Sequence, residues 1–276
     1  MSPRPITAII VTYLTGPRLR ESLYALLACR DVTTLLIINN GNPPAMTDWL
    51  KTFAAEHAKV QLISPGDNLG FGKAINLASR QAEEGYLLLV NPDAVIKHDA
   101  VSTLVAASEH RQRPWLLGGR IFDLHGKEGR GDRRRKLTLW RALTSSAGID
   151  TWNLNTAPLP SGPTSVGAVS GALMLTDTES FRQLGGFDEA YFIHVEDVDL
   201  CRRAKEAGGE VIFCPDAGAL HYGSTSDVSS KTVARHKAES LAYYFRKFSG
   251  NPVSLALVSG VIGPLLKWML PARARD

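Results

Sequence analysis

Short apolar runs and helix-like stretches alternate regularly along the first third of this sequence. In chain order these segments are 7–11, 18–28, 35–38, 46–57, 60–63, 72–83 and 86–90, of which the first, third, fifth and seventh are apolar. Strands that alternate with helices form a parallel sheet covered on both faces, and ligands bind at the carboxyl ends of its strands. The sequence therefore predicts an α/β fold with a Rossmann-like, mostly parallel central sheet and helices on both faces.

The alternation breaks between about residues 118 and 166, where Arg, Gly, Thr and Pro are frequent, and we expect a mobile connection there. Order resumes with a strand-like run at 169–175 and a helix at 178–183. Two helix-like stretches follow at 231–248 and 253–266, and the second is apolar but too short to indicate a membrane span. We expect residues 227–276 to form a helical extension that contacts a membrane surface.

Length, cysteine usage and the N-terminus limit the class of protein. A chain of 276 residues, 44% of them hydrophobic, buries a core without metals or disulfides. Cys29, Cys201 and Cys214 lie far apart, which is typical of buried thiols in a reducing compartment. The first residues contain no long apolar segment of a secretory signal, so we expect a cytoplasmic protein.

Basic residues are concentrated in two places, although the formal net charge is only +4. Such clusters either attract phosphates or are solvated loops. No aromatic platform accompanies the first cluster, so we expect no nucleic-acid binding. The first cluster consists of Arg130, Arg133, Arg134, Arg135 and Lys136, and the second of Lys267, Arg273 and Arg275.

Two motifs follow predicted strands. The segment DNLGFGKAIN, 67–76, contains glycines that let the backbone approach a ligand, and it leads into a helix whose N-terminus attracts anions. Alternatively, the glycines are there only because the turn from strand to helix has no space for side chains. Asn91-Pro92-Asp93 places a carboxylate at the end of the fourth strand. Mg²⁺ or Mn²⁺ commonly bridges such a carboxylate to a diphosphate. Alternatively, the same tripeptide is a turn that precedes the helix near Asp99.

Acidic residues crowd the start of a later helix. Glu196, Asp197 and Asp199 stand there, and acids at this position also stabilise the helix dipole. One of them could instead accept the proton of a substrate hydroxyl. His221 is a candidate second metal ligand, although most single histidines bind no metal.

Taken in order, these motifs resemble the inverting family 2 glycosyltransferases with the GT-A fold, and most closely their rhamnosyltransferase-like branch. The resemblance covers about residues 6–226. It implies a GT-A domain at 1–226, with a nucleotide-sugar-binding half at 1–117 and an acceptor and catalytic half at 118–226. The matching segments are VTY at 11–13, INN at 38–40, DNLGFGKAIN, NPD, SGALML at 170–175, GGFDEAYFIHVEDVDLCRR and His221.

The resemblance also implies roles for individual residues. Asp93 would be the main ligand of Mg²⁺ or Mn²⁺ and His221 the second, while Asp197 would be the catalytic base, with Glu196 as second choice. Asn39 occupies the position where the family usually has an aspartate that accepts a hydrogen bond from the base, and an amide oxygen can still accept it. The implied nucleotide-sugar-binding residues are Thr12, Tyr13, Asn39, Asn40, Asn68, Gly70, Phe71, Gly72, Asn76, Asn91, Asp93, Gly171 and Ala172.

The substrates are implied in the same way. The donor would be dTDP-L-rhamnose and the acceptor a hydroxyl of a lipid-linked or polysaccharide glycan of the cell envelope, at the cytoplasmic face of the inner membrane. Two alternatives stay open, namely a UDP-hexose donor on the same fold and a non-catalytic scaffold that binds nucleotide sugars. The acceptor, the linkage and the oligomeric state, with a homodimer as one option, are left undetermined by the sequence.

Overall fold

A nine-stranded mixed sheet forms the centre of the protein. The computed structural model describes residues 4–129, 131–146, 157–222 and 228–250, together with residues 256, 259, 260 and 264. The strands are β1 Ile6–Thr12, β2 Thr34–Asn39, β3 Val60–Ile63, β4 Tyr86–Val90, β5 Ala94–Ile96, β6 Trp115–Phe122, β7 Arg133–Arg134, β8 Thr164–Ser165, β9 Ala168–Val169, β10 Leu173–Asp177 and β11 Glu210–His221. Their order in the sheet is β3-β2-β1-β4-β10-β6-β11-β5, with β8 paired to β11 and a separate pair formed by β7 and β9.

Helices cover both faces of this sheet. Successive side chains of a strand point to opposite faces, so Ile9 and Val11 join one apolar core while Ala8 and Ile10 join the other. Helices α3, α6, α7 and α8 contribute to the first core, and α1, α2 and α4 to the second. The helices are α1 Arg18–Ala28, α2 Pro44–Glu56, α3 Phe71–Ser79, α4 Ala100–Ser108, α5 Leu139–Ser146, α6 Thr178–Gln183, α7 Glu196–Glu206 and α8 Ser230–Lys247.

The strand directions explain where a ligand site can form. β1, β2, β3 and β4 are parallel, and β6 and β11 run in the same direction because β10 pairs antiparallel with both β4 and β6. The carboxyl ends of β1, β2 and β4 therefore share one edge with the residues that precede β10. The predicted α/β sheet, mostly parallel and covered on both faces, is confirmed.

The expected break near residue 118 is wrong, because β6 runs through it. Gly118 and Gly119 interrupt the apolar run in the sequence, but both are packing positions. A Cβ at Gly118 would lie 2.3 Å from Val169 Cβ, and one at Gly119 would lie 2.4 Å from Leu173 Cδ2. The boundary expected between residues 117 and 118 thus falls inside a central strand. The expected mobile connection contains β7, α5 and β8, while residues 130 and 147–156 lie outside the described part of the chain.

Helix α8 is fixed to α7 and to the loop before α7 by ion pairs. Lys247 Nζ lies 2.7 Å from Asp188 Oδ2 and 2.7 Å from Asp199 Oδ2. Asp199 also accepts hydrogen bonds from Arg203 and Tyr191, so this acid of the helix start is structural. The predicted helix at 231–248 is confirmed, whereas the cations after residue 264 lie outside the described residues. No helix in the described ranges is long and apolar enough to span a bilayer.

Candidate active site

Asp93 and His221 meet at the carboxyl edge of the sheet. Asp93 follows β4 and is 7% exposed, and His221 ends β11, where it pairs with Ala94 of β5. His221 Nε2 lies 3.0 Å from Asp93 Oδ1 and 3.4 Å from Asn91 Nδ2. The backbone N–H of Tyr222 donates to the carbonyl of Asp93 at 3.3 Å, which fixes the two segments to each other.

The donor set of this pair fits a divalent cation that shares its coordination with a substrate. A carboxylate oxygen and an imidazole nitrogen are suitable ligands for Mn²⁺, and a carboxylate for Mg²⁺. Among the described residues no group of three or more His, Cys, Asp and Glu side chains could hold a metal ion. A cation on Asp93 and His221 would therefore complete its shell with diphosphate oxygens and water, as Mg²⁺ usually does.

A short segment before β10 connects this pair to Asp197. The backbone N–H of Asn91 donates to the carbonyl of Ala172 at 3.1 Å, and the N–H of Gly171 donates to Asp197 Oδ2 at 3.3 Å. A Cβ at Gly171 would lie 3.4 Å from the Phe71 ring and 3.9 Å from Asp197 Cβ. The segment therefore lies between the two predicted functional acids, with Gly171 at ordinary van der Waals distance from its neighbours.

Asp197 is held by three donors near the start of α7. Besides Gly171, the N–H of Val198 donates to Asp197 Oδ1 at 2.8 Å, and Arg134 Nη1 donates to the same oxygen at 3.3 Å. The carboxylate is thus oriented, and its side chain retains 11% exposure. An oriented carboxylate with some solvent access is suited to accept a proton from a hydroxyl.

Arg134 is a site residue to which the sequence analysis gave no role of its own beyond the basic cluster. It belongs to the basic cluster, and only the pairing of β7 with β9, Arg134 opposite Ala168, places it beside Asp197. Its neighbour Arg133 is buried against Glu128, with a 2.5 Å contact between Nε and Oε1. The cluster therefore does not act as one phosphate-binding loop: Arg133 is part of the core and Arg134 part of the site.

Glu196 differs from its neighbour in environment. It is 6% exposed, and its Oε2 accepts no hydrogen bond from any described residue. Burial, followed by the negative charge of Asp197, raises the pKa of Glu196 to about 8. Near neutral pH the proton therefore stays on Glu196, which favours Asp197 over Glu196 as a base.

The residues immediately before α7 have an unusual backbone. His194 has φ 67° and Val195 has φ 72°, a region that L residues, and β-branched ones above all, rarely adopt. Such conformations persist only where the surrounding structure enforces them, and they concentrate at functional sites. They direct Glu196 and Asp197 into the start of the helix immediately after a sharp change of chain direction.

The predicted base-binding end of the sheet is built from asparagine hydrogen bonds. Asn39 Oδ1 accepts from Asn42 Nδ2 at 2.9 Å, and Asn39 Nδ2 donates to Thr47 Oγ1 at 2.9 Å. Asn42, which the sequence analysis overlooked, also donates to the carbonyl of Thr12 at 2.8 Å and accepts from the N–H of Leu14 at 2.7 Å. The expected free acceptor on Asn39 is thus already engaged, while Asn42 fixes the strand ends to each other.

Asn40 and Asn68 hold the glycine-containing turn. Asn40 Nδ2 donates to Asn68 Oδ1 at 2.9 Å, and that oxygen also accepts from the N–H of Gly70 at 2.9 Å. Gly70 has φ 80°, and a Cβ there would lie 2.3 Å from the carbonyl oxygen of Phe192. The adjacent Phe71 N–H donates to the same Phe192 oxygen at 2.9 Å. The turn therefore rests directly on the segment that leads to Asp197.

Asn76 and Gly72 have positions inside the protein. Asn76 Nδ2 donates to the Phe187 carbonyl at 2.8 Å and to Glu189 Oε1 at 3.1 Å, while its Oδ1 accepts from the Phe187 N–H at 2.9 Å. A Cβ at Gly72 would lie 2.9 Å from Phe187 Cβ. The structure thus gives both residues a task in fixing the 185–189 loop. Direct contact of either residue with a nucleotide sugar stays a prediction.

Comparisons with known proteins agree with this arrangement. A sequence model described as "Glycosyltransferase like family 2" matches residues 3–247. The chain is 30% identical over 256 residues to the N-acetylglucosaminyl-diphospho-decaprenol L-rhamnosyltransferase of Mycobacterium tuberculosis, covering 84% of this chain and 82% of the relative. It is 28% identical over 228 residues to the rhamnosyltransferase WbbL of Escherichia coli, covering 78% and 84% of the two chains.

One solved structure shows the same fold. The chain is similar to GalNAc-T7, crystallised with UDP, GalNAc and Mn²⁺, with a TM-score of 0.65 and 15% identity. The match covers 100% of this chain and 55% of that one, so our chain spans little more than half the length of GalNAc-T7. At this identity the similarity concerns the fold alone.

Proposed function

The chain belongs to the glycosyltransferase-like family 2, and on that premise we propose that it transfers L-rhamnose from dTDP-L-rhamnose to a lipid-linked acceptor. The expected glycosyltransferase family and GT-A fold are confirmed. Rhamnosyl transfer is supported by two relatives, one at 30% and one at 28% identity, whose names both state it. The diphospholipid acceptor is supported by the name of the first relative alone. A role in the synthesis of a cell-envelope glycan fits both relatives.

The observation that carries this function is the linkage between Asp93, His221 and Asp197. The Asn91–Ala172 and Gly171–Asp197 hydrogen bonds join a cation-binding pair to an oriented carboxylate within one edge of the sheet. Glycosyl transfer needs these two functions side by side, because one end of the reaction develops negative charge and the other releases a proton.

We assign the roles as follows. When bound, Mg²⁺ or Mn²⁺ on Asp93 and His221 would offset the charge of the departing nucleotide diphosphate. Asp197 accepts the proton of the acceptor hydroxyl as that oxygen forms a bond to the anomeric carbon and the bond from this carbon to the diphosphate breaks. One base on the face opposite the leaving group inverts the configuration. Gly171 and Ala172 would lie near the donor sugar, where a larger side chain would block it.

The nucleotide would lie at the ends of β1 and β2. Thr12 and Tyr13 flank the asparagine network, and Asn68, Gly70 and Phe71 line the turn that faces it. Because Asn39 is engaged with Asn42 and Thr47, the base would be recognised by Tyr13 and by backbone groups more than by the Asn39 amide. The preference of the protein for one nucleotide base therefore tests whether the nucleotide binds at the ends of β1 and β2.

A donor panel tests the proposal. Release of nucleotide is measured with dTDP-L-rhamnose, UDP-glucose, UDP-N-acetylglucosamine and GDP-mannose, each with N-acetylglucosaminyl-diphospho-lipid and with Mn²⁺ or EDTA. We expect transfer from dTDP-L-rhamnose that requires the cation and is at least tenfold faster than from the other donors. Faster transfer from a UDP-hexose would show that the proposed donor is wrong and that the protein is nevertheless a glycosyltransferase. Nucleotide binding without transfer to any acceptor would instead indicate a scaffold protein.

A lipid-linked acceptor also implies a location. We propose that the protein acts at the cytoplasmic face of the inner membrane, where such acceptors are presented, with the C-terminal extension at the bilayer. Flotation of the full chain and of a variant ending at residue 251 with anionic liposomes tests this. Equal flotation of the two proteins would show that the C-terminal extension does not contribute to membrane binding.

A further inference from the structure

Helix α1 contacts both segments that carry the cation-binding pair, although the sequence analysis gave this helix no role in the site. Arg18 and Glu21 of α1 contact Tyr222, the residue that follows His221 in the chain. We propose that these three residues form a clamp that positions His221 against Asp93 for a divalent cation. They act through His221 and are therefore positioning residues. The inference rests on the proposed function, which it extends to the way the cation site is held together.

His221 lies where strand β11 leaves the sheet. β6 pairs with β11 as far as Leu220, so among the described strands His221 pairs with β5 alone, opposite Ala94. β5 has three residues and lies at the edge of the sheet. The ends of edge strands open more readily than the interior of a sheet, because fewer hydrogen bonds hold them. Contacts from outside the sheet are therefore needed to keep a metal ligand at this position in one place.

The Tyr222 side chain makes such contacts. Its hydroxyl donates to Glu21 Oε2 at 2.7 Å, and the other oxygen of that carboxylate accepts a hydrogen bond from Arg18 Nη1. The Arg18 guanidinium lies over the Tyr222 ring, 4.0 Å from the ring centroid. A carboxylate thus holds the phenol at its hydroxyl and a cation holds it at its face, and both contacts are attractive.

The backbone of Tyr222 connects this clamp to both members of the cation-binding pair. Its N–H donates to the Asp93 carbonyl at 3.3 Å, and His221 precedes it directly in the chain. The imidazole Nε2 of His221 lies 3.0 Å from Asp93 Oδ1. A movement of Tyr222 would therefore shift the imidazole relative to the carboxylate, and the distance between the two ligands would change.

Helix α1 is itself fixed to the sheet. Its apolar side chains are buried in the second core, and the helix packs against β5. Ser22 is fully buried, and its Oγ donates to the Asn91 carbonyl at 3.4 Å. One helix therefore contacts the segment of Asp93 through Ser22 and the segment of His221 through the clamp.

Partial exposure of the clamp distinguishes its effect on the cation from an effect on stability. The side chains of Arg18 and Glu21 are 41% and 43% exposed, and ion pairs in such positions add little to the stability of a fold. Groups that hold a metal ligand in place nevertheless change metal affinity by about 10–100-fold when they are removed. Because this clamp is partly exposed and acts through the backbone, we expect a smaller effect of about three- to tenfold.

Binding of Mn²⁺ in the presence of dTDP tests the proposal, with free Mn²⁺ measured by electron paramagnetic resonance. We expect the Kd of Mn²⁺ to rise about three- to tenfold in Tyr222→Phe and in Glu21→Ala. The Tm of each variant should stay within about 4 °C of the unmodified protein. Both substitutions remove the same hydrogen bond, so the double variant should bind Mn²⁺ as Glu21→Ala does. Losses that multiply in the double variant, or an unchanged Kd in both single variants, would overturn the clamp.

Two residues of the same helix supply matched controls. Tyr24→Phe also removes a phenol hydroxyl, but the Tyr24 ring packs on Phe53 of α2, with centroids 5.6 Å apart. Arg20→Gln removes a cation that lies over the Trp49 ring of α2, 4.6 Å from its centroid. Both controls should keep the Kd of Mn²⁺ within about twofold of the unmodified protein. Arg18→Gln should raise this Kd as the other clamp variants do, and an effect of Arg18→Gln no larger than that of Arg20→Gln would contradict the clamp.

Two measurements with EDTA present separate this inference from the proposed function. Hydrogen exchange of the residue 222 amide, followed by NMR, should be at least about threefold faster in Tyr222→Phe and Glu21→Ala than in the controls. Unchanged exchange would refute the clamp even if transfer from dTDP-L-rhamnose were observed. Faster exchange would support it even if no donor supported transfer. Binding of dTDP without a cation should be the same in all variants, and weaker binding to the clamp variants would overturn the proposal by showing direct contact with the nucleotide.

Discussion

Substitution of Gly70 by alanine tests whether the glycine-containing turn and the segment before the base form one unit. Gly70 has φ 80° and ψ 178°, a combination that is essentially restricted to glycine. The new Cβ would also lie 2.3 Å from the Phe192 oxygen, which already accepts the Phe71 N–H. The turn and the 192–195 segment must then move apart.

The magnitude follows from three costs. Backbone strain contributes about 1–3 kcal/mol, overpacking against a backbone atom a further ~1–3 kcal/mol, and the weakened Phe71–Phe192 hydrogen bond about 1 kcal/mol. The sum of roughly 3–7 kcal/mol is a large share of the total stability of a domain, which is about 5–15 kcal/mol. At about 2–4 °C per kcal/mol, the Tm should fall by roughly 6–28 °C.

Gly66→Ala is the matched control for this prediction. Gly66 lies in the same turn with φ 96°, but a Cβ there would meet no atom within 4 Å. It therefore incurs the strain of about 1–3 kcal/mol without the steric clash. Urea unfolding followed by circular dichroism measures both variants, and nucleotide release measures their activity. Equal losses of stability in both variants, or full activity in Gly70→Ala, would refute the coupling between the turn and the base.

Three further predictions concern buried polar groups. Asp199→Asn should destabilise the protein by about 3–5 kcal/mol, because Arg203 and Lys247 lose their buried ion-pair partner. Urea unfolding measures the free energy of unfolding of the variant. A loss below about 1 kcal/mol would contradict the prediction. Glu196→Gln should raise the Tm at pH 8 but not at pH 5. The pKa of Glu196 is raised in the folded protein, so the stability of the wild type is full at low pH and falls as the pH rises from about 4.5 through about 8. Equal changes of Tm at both pH values would be evidence against the burial of the Glu196 carboxyl. The pKa of His194 is lowered to about 4 in the folded protein, so its contribution to the free energy of unfolding is full above pH 6.5 and is lost as the pH falls towards about 4. His194→Gln should therefore lose less stability than wild type between about pH 6.5 and 4.5. Parallel losses of stability in the two proteins would contradict this.

Much of the sheet could be predicted from the sequence because its periodicity is strong. The strand at 60–63, the strand at 86–90 and the helix at 18–28 have the expected bounds, since each apolar run is bordered by turn residues. Strand β6 was missed for a physical reason. Its two glycines read as a break, whereas close packing against Val169 and Leu173 requires residues without a Cβ.

The site was partly predictable for a related reason. Asp93, Asp197 and His221 each stand at the end of a regular element, where sequence patterns indicate position. Arg134 was hidden, because its role depends on a two-residue pairing between segments that are distant in sequence. The hydrogen-bond partners of Asn39 and Asn76 were equally hidden, because an amide looks the same in a sequence whether it binds a ligand or a neighbouring backbone group.

Separate measurements of donor binding and of turnover test most directly whether Asp93 holds the cation and Asp197 acts as the base. Calorimetry with dTDP-L-rhamnose and Mn²⁺ and single-turnover transfer are measured for Asp93→Ala, Asp197→Asn and the exposed control Asp216→Asn. We expect Asp197→Asn to bind the donor normally and to transfer about 10²–10⁴-fold more slowly. Asp93→Ala should lose the part of donor binding that depends on Mn²⁺. Normal transfer by Asp197→Asn, or Mn²⁺-dependent binding that survives in Asp93→Ala, would contradict the account.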